Sequence, residues 1–186
     1  MNPVVEERPP MPVDLLNWGD QRGFELIDGH PKEKPLGMEA GAVGAQMLSL
    51  LRTHVKAHSL GHVINSECGY QIFADHPTRI RKPDGSFVAR GRLPDEKLFR
   101  GHCKIAPDLA FEVVSPNDFA EEINEKVIEF LQAGVRLLWV LYPATQTIQV
   151  FRPKGGSAML AAADELSGED VVVGFSCRVG DVFSDL

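Results

Sequence analysis

Cysteine is scarce in this chain. Its 186 residues hold three, Cys68, Cys103 and Cys177, and an odd, widely spaced set suggests neither a disulfide framework nor a four-cysteine zinc site. No apolar run reaches membrane length, and the acidic, proline-rich start lacks the pattern of a secretory leader, so the expected compartment is the cytoplasm, with no membrane partner. Excess positive charge is missing too. With 19 Lys and Arg against 26 Asp and Glu, the net charge is -7, which argues against broad electrostatic attraction to nucleic acid. It leaves room for a locally basic groove, because metal ions offset active-site carboxylates. No serine or cysteine has a base nearby, so a covalent nucleophile is not indicated. The double glycine in KGGS lacks the lysine and helix of a phosphate loop, and no internal repeat is found.

What is present is an ordinary globular composition, 44% hydrophobic and 24% charged, enough for one core and one domain over residues 13–186. Residues 1–12 read as a flexible arm, and Val13 to Trp18 as a short turn of helix. GFELIDGHPKEK predicts a short strand through Phe24 and Leu26, a turn at Asp28-Gly29, and a second short strand or loop. From Met38 to His58, Val43, Met47, Leu50, Leu51 and Val55 recur near a 3.6-residue period, predicting a long helix that stops near Gly61. HVINSECGYQIFA and TRIRKPDGSFVARGRL are strand-like. Gly91 to Lys104 is a polar connection with few apolar anchors, expected to be mobile. RLLWVLY is a buried strand, and TIQVFR pairs back on it after a turn at Pro143 to Gln146. KGGSAMLAAADELSGED is small-residue and turn-rich with room for a weak strand, and a last strand is expected in DVVVGF and a short helical turn in VGDVF. The sum is an α/β architecture, a mixed sheet of roughly six strands flanked by at least two helices.

The chain is organised around PDLAFEVVSPNDFAEEINEK, residues 107–126. In LAFEVV, Leu109, Phe111 and Val113 alternate with Ala110, Glu112 and Val114. A strand apolar on both faces is covered on both, so Glu112 should be buried, and a buried carboxylate needs compensation. Ser115 and Pro116 then read as the N-cap and first position of a helix, with Asp118, Glu121 and Glu122 in its acidic first turns. The helix runs to a stop at Gly134. Phe119, Ile123 and Phe130 form its apolar stripe, and Lys126 falls on that stripe.

Three Pro-Asp pairs occur, at Asp84, Asp95 and Asp108. Asp108 shares strand parity with Glu112, but four strand residues separate their Cα atoms by about 13 Å, too far to share an ion bound at about 2.1 Å. Asp84 lies in RIRKPDGSF, a strand able to pair antiparallel with LAFEVV through the long loop and so to bring its carboxylate opposite Glu112; alternatively it is a turn residue before Gly85. Asp95 sits in the loop. Lys126 has two readings as well: surface ion pairs with Glu122 and Glu129, or a charge beside Glu112 that positions water and stabilises a phosphate. Glu25 alternates with Phe24 and Leu26 and is expected on the solvent face of an edge strand, or else as an outer metal ligand. His54, His58 and His62 have zinc-like spacing, but no carboxylate or cysteine completes the set, and a solvated helix end is the favoured reading.

FELIDG, the long helix, RKPDGSF, PDLAFEVVSPND, a helical lysine and AGVRLLWVLYP together resemble the Uma-two family of restriction-endonuclease-like proteins, within the PD-(D/E)xK nuclease superfamily, over about residues 13–153. The resemblance implies a restriction-endonuclease-like mixed sheet with flanking helices. It implies Asp84 as the motif aspartate, Glu112 as the second acid, and Lys126 as the catalytic lysine moved onto the following helix, since the usual lysine position holds Val114. Glu39 stands near where members often carry a histidine. Glu25 matches an early glutamate that helps bind metal. The implied activity is hydrolysis of DNA phosphodiesters with Mg²⁺, for which Mn²⁺ substitutes, held by Asp84, Glu112 and the Val113 backbone carbonyl. A homodimer is the expected assembly. The rival expectation is an inactive protein of the same fold that serves as a dimeric interaction or DNA-binding module.

Overall fold

The computed structural model describes residues 10–17, 23–34, 37–184 and 186. Residues 1–9 of the expected arm, and Trp18 at the end of the first expected helix, lie outside them. Pro12 is not part of a loose arm: it opens α1 (Pro12–Asn17) and is buried. The expected hairpin forms as β1 (Phe24–Ile27) and β2 (His30–Glu33), antiparallel. Asp28 and Gly29 both take positive φ, 48° and 79°, as a primed two-residue turn requires. The long helix α2 (Met38–Ala57) buries Val43, Met47, Leu51 and Val55.

The main sheet is built from β3 (Gly61–Asn65), β4 (Gly85–Ala89), β5 (Leu109–Val113), β6 (Leu137–Tyr142), β7 (Thr147–Phe151) and β8 (Ser157–Leu160), in that spatial order. Neighbours are antiparallel except β5 and β6, which run parallel. A parallel pair needs a crossover, and α3 (Ala120–Gln132) supplies it. A second small ribbon joins β9 (Glu165–Ser167) to β10 (Ser176–Arg178), followed by α4 (Val179–Val182).

Each face of the sheet carries its own apolar cluster. On one, Val43, Met47, Leu51 and Val55 of α2 pack on Phe87, Phe111, Val113 and Trp139, together with C-terminal residues such as Val172 and Phe175. On the other, Ile123, Val127 and Phe130 of α3 cover Ala110, Leu138 and Val140. Glu112 shares parity with Ala110 and therefore faces α3.

Several expectations need correction. α3 begins at Ala120, not near Pro116, because the Asp118 carboxylate accepts the Ser115 N–H at 2.7 Å and closes a separate turn; such side-chain bonds compete with helix. Phe119 consequently falls off the apolar stripe and is 70% exposed. The C-terminal stop forms as read: Gly134 has φ 101°, its N–H donates to Leu131 O, and the Val135 N–H donates to Phe130 O, a Schellman closure. DVVVGF is not a strand. Val171 and Val172 are buried in a turn held by their N–H groups on Gly168 O, and the last strand is β10. The connection after β4 has more anchors than expected, since Leu93 and Cys103 are both buried.

Candidate active site

The register of the sheet assembles the first half of the site. Gly85 pairs with Phe111, so the next step outward sets Asp84 against Glu112. The Asp-Gly pair is not a reversal: Gly85 lies within β4, and a Cβ there would run into the Phe111 ring and come within 2.9 Å of Leu48 Cδ2. Glycine is needed for close approach, not for a turn. Asp84 Oδ2 accepts the Val113 N–H at 2.8 Å, which pins the aspartate to the end of β5.

The second half comes from α3 and the hairpin. Lys126 Nζ lies 3.5 Å from Glu112 Oε2 and 3.6 Å from Glu25 Oε1. The surface-pair reading of Lys126 fails, because both of its helical neighbours are engaged elsewhere. Glu122 pairs with Lys32 at 2.6 Å, and Glu129 binds Arg81 Nε at 2.7 Å and also Arg79. Glu25 is likewise not on a solvent face. It is 2% exposed, accepts the Lys82 N–H at 2.7 Å and pairs with Arg81 Nη1 at 3.2 Å. The Arg79–Lys82 segment, docked on β1 through the Leu26–Ile80 bridge, covers what would otherwise be an edge.

Sequence reasoning passed over Lys34. Placed just after β2, it donates to Asp84 Oδ1 at 2.8 Å and to Lys82 O at 2.6 Å, and its Nζ lies 3.8 Å from Glu112 Oε2. It stands in the polar run HPKEK, where nothing local distinguishes a buried lysine from a solvated one. The small residues Gly37, Ala40, Gly41, Gly44 and Ala45 give a signal that was available: one flank of α2 lacks bulk. There they line a cleft of about 310 Å³ onto which Lys34, Asp84, Glu112 and Lys126 open. A larger cleft of about 480 Å³ adjoins it, sharing Leu48 and Asn65, but its lining is mostly apolar around Leu93, Leu98 and Phe99. Opposite charges converge in the smaller cleft, which makes it the candidate site.

Glu112 is the electrostatically uncomfortable member. Its carboxyl is pushed up to about 7 from an ordinary 4.5, first by burial; Lys126 and Lys34 pull it down, while Asp84 and Glu25 push it further up. For Glu25, burial also favours the neutral acid, but Lys126, Lys34, Arg81 and the Lys82 N–H outweigh it and the carboxyl ends below its ordinary value. Lys34 is raised: burial acts against its charge, and Glu112, Asp84 and Glu25 overcome it. A raised carboxyl stabilises the fold fully below its unfolded value near 4.5, and that contribution is lost as pH climbs through about 7. Glu112→Gln, which cannot ionise, should therefore gain stability relative to the wild type between about pH 5 and about pH 8 in the presence of a chelator. Urea midpoints that move in parallel for the two proteins would contradict this.

The donor chemistry fits a hard divalent cation. Glu112 Oε1 is buried without a hydrogen-bond partner, and the strand register sets Asp84 opposite Glu112; carboxylate oxygens of this kind suit Mg²⁺. Among the described residues no three His, Cys, Asp or Glu side chains gather as a ready-made metal site, so an ion held here takes two carboxylates and completes its shell from backbone or water. The histidines do not form a zinc site: His54 Nε2 lies 3.0 Å from Val173 O and His58 Nδ1 2.9 Å from His54 O, both within bonding distance of backbone. Asp108 is at the far end of β5, accepting the Ala89 N–H and Arg92, and Asp95 stays in its loop within a short 3₁₀ turn.

Comparison with known proteins adds the following. The Uma2 family model, described as "Putative restriction endonuclease", matches residues 13–180. No curated protein matches the chain. Among solved structures, a chain described as a putative nuclease belonging to DUF820 from Anabaena variabilis superposes with a TM-score of 0.78 at 20% identity, over 95% of this chain and 98% of that one. At that identity the likeness establishes a shared fold. No helix among the described residues is long and apolar enough to cross a membrane.

Proposed function

Because this chain belongs to the Uma2 family, we propose that it is a nuclease, and more narrowly a Mg²⁺-dependent endonuclease hydrolysing phosphodiester bonds in DNA. The observation that carries the reading is the convergence of Asp84, Glu112 and Lys126 on one cleft, with one Glu112 oxygen buried and unpartnered. Asp84 Oδ1, Glu112 Oε1 and the Val113 carbonyl are the donors assigned to the ion. A bound Mg²⁺ would supply Lewis-acid polarisation of the phosphate and would lower the pKa of a water it holds. Lys126, held between Glu112 and Glu25, orients that water and stabilises charge developing on the phosphate. Glu25 acts through Lys126: its oxygens are already committed to Lys82 N–H, Arg81 and Lys126, so it is assigned a positioning role and not a ligand role. A homodimer is part of the proposal, since cutting both strands takes two sites; sedimentation of the free protein checks it.

The test is incubation of supercoiled plasmid with Mg²⁺ or Mn²⁺. Asp84→Ala and Lys126→Ala are each expected to nick about 10²- to 10³-fold more slowly than the wild type, the usual loss when one preorganised electrostatic group is removed. Equal nicking by all three proteins would sink the assignment. One observation favours a rival, the inactive module of the same fold: the interior carboxylates Glu25, Asp84, Glu112 and Glu129 are matched by Lys34, Lys126, Arg79 and Arg81. A purely structural cluster of that kind binds no Mn²⁺, so calorimetric titration separates the readings.

A further inference from the structure

The same charge balance has another explanation, centred on Lys34. Asp84 has two oxygens, and Oδ2 is committed to the Val113 N–H. The other, Oδ1, is the atom that Lys34 Nζ touches at 2.8 Å, and the same ammonium lies 3.8 Å from Glu112 Oε2. Lys34 thus sits between the two acids assigned to the ion, and the backbone carbonyl of Lys82 accepts its third contact at 2.6 Å. An ion bound to Asp84 Oδ1 at about 2.1 Å and an ammonium on that same oxygen are like charges in a poorly solvated space, and they exclude each other. Lys126 is placed differently. Like Lys34 it faces Glu112 Oε2, but its second carboxylate is Glu25 and not Asp84, so it does not cover Asp84 Oδ1.

We infer that Lys34 is a built-in competitor for the divalent cation: its ammonium occupies Asp84 Oδ1, the aspartate oxygen assigned to the ion, beside Glu112, and the ion binds there only as Lys34 leaves. The inference rests on the nuclease reading for the identity of the ion's ligands, and it adds a regulatory property to them. In the resting protein the tethered cation keeps the two acids from repelling each other. On metal entry the lysine is released into a cleft that, on the same reading, carries a phosphodiester, so its charge moves from carboxylate to substrate. Ion occupancy and substrate binding are then coupled in the favourable sense, because an anionic phosphate gives the displaced ammonium a partner.

The probe is Mn²⁺ itself, titrated by calorimetry and by the electron paramagnetic resonance signal of the free ion at fixed ionic strength. Lys34→Met is expected to bind Mn²⁺ about tenfold or more tightly than the wild type, the size of effect that one direct competitor exerts. Lys126→Met provides the control for charge alone. It removes one positive charge near Glu112 without freeing Asp84 Oδ1, so its gain is expected to be clearly smaller than that of Lys34→Met. Equal gains in the two variants would reduce Lys34 to a general field effect and overturn the proposal, as would unchanged or weaker binding by Lys34→Met. Plasmid nicking by the wild type tells this failure from that of the nuclease reading. A wild type that nicks, with no gain in Lys34→Met, loses only the competitor; a wild type that does not nick, with a selective gain in Lys34→Met, keeps the competitor and loses the nuclease.

Discussion

Replacing Arg81 with alanine is expected to cost about 3–5 kcal/mol of stability, the range for breaking a buried ion pair by removing one partner. Arg81 is 4% exposed and joins two elements that share no strand pairing: its Nε holds Glu129 of α3 at 2.7 Å and its Nη1 holds Glu25 of β1 at 3.2 Å. Truncation leaves Glu25 in place at 2% exposure, with the Lys82 N–H and Lys126 at 3.6 Å as its remaining support. The cost is that of a stranded carboxylate more than that of a lost bond. The double variant Arg81→Ala, Glu25→Gln should accordingly recover part of the loss, because the stranded charge is gone. Urea unfolding at neutral pH measures both. A loss below about 1 kcal/mol for the single variant, the level of an exposed pair, would show that the cluster is solvated. The pH response has a definite sign as well. Glu25 is held below its ordinary 4.5, so its contribution is present above about that pH and lost as the solution is acidified through its folded value. Without Arg81 that acid-induced loss should shrink.

The parts of the site that were legible in the sequence are those that depend on local periodicity and one pairing. Strand alternation in LAFEVV required Glu112 to be buried, and helical spacing put Lys126 on the covered side of α3. Antiparallel pairing through the loop then brought Asp84 opposite Glu112, as the register of β4 and β5 has it. The parts that were not legible depend on segments that meet from far apart in the chain. Glu25 sits in a four-residue strand whose alternation cannot say which face is covered, and its cover is the segment Arg79–Lys82, more than fifty residues later. Lys34 belongs to a polar run after a hairpin; only the arrival of Asp84 and Glu112 makes that place an interior. Phe119 lies off the apolar stripe because α3 begins later than the Ser115-Pro116 signal suggests, and the reason is one side-chain bond, donated by the Ser115 N–H to the Asp118 carboxylate. Val171 to Val173 has strand-forming residues, yet in the structure they lie in a turn where Val171 and Val172 join the cluster that holds Trp139 and Phe175 while Val173 is exposed.

Glu112→Ala is expected to reduce Mg²⁺-dependent nicking by about 10³-fold or more, beyond the loss for Asp84→Ala or Lys126→Ala, because two contributions fail together. One is the loss of the unpartnered oxygen assigned to the ion, and metal-assisted charge stabilisation is worth several kcal/mol, where about 1.4 kcal/mol is a factor of ten in rate. The other is the loss of the 3.5 Å contact that holds Lys126 in the cleft, which leaves its ammonium drawn toward Glu25 alone. Folding is expected to move the other way or hardly at all near pH 8. The ionised carboxyl is the unfavourable form in the folded protein, its value being pushed up to about 7 by burial, so deleting it removes a charge the interior resists, against a small cavity beside Ala110 and Val140. Activity and stability should therefore separate at this position: nicking lost, urea midpoint near that of the wild type. Loss of both in parallel would mean that Glu112 is a keystone of the ion-pair cluster and that the fold, not the chemistry, depends on it. Retention of nicking would remove Glu112 from the reaction altogether and return the smaller cleft to the inactive reading. Among the described residues, Arg79 Nε and Trp139 Nε1 are also buried without a partner, but of the three residues only Glu112 lines the charged cleft, so nicking lost with the urea midpoint kept would assign its unpartnered oxygen to the chemistry and not to packing.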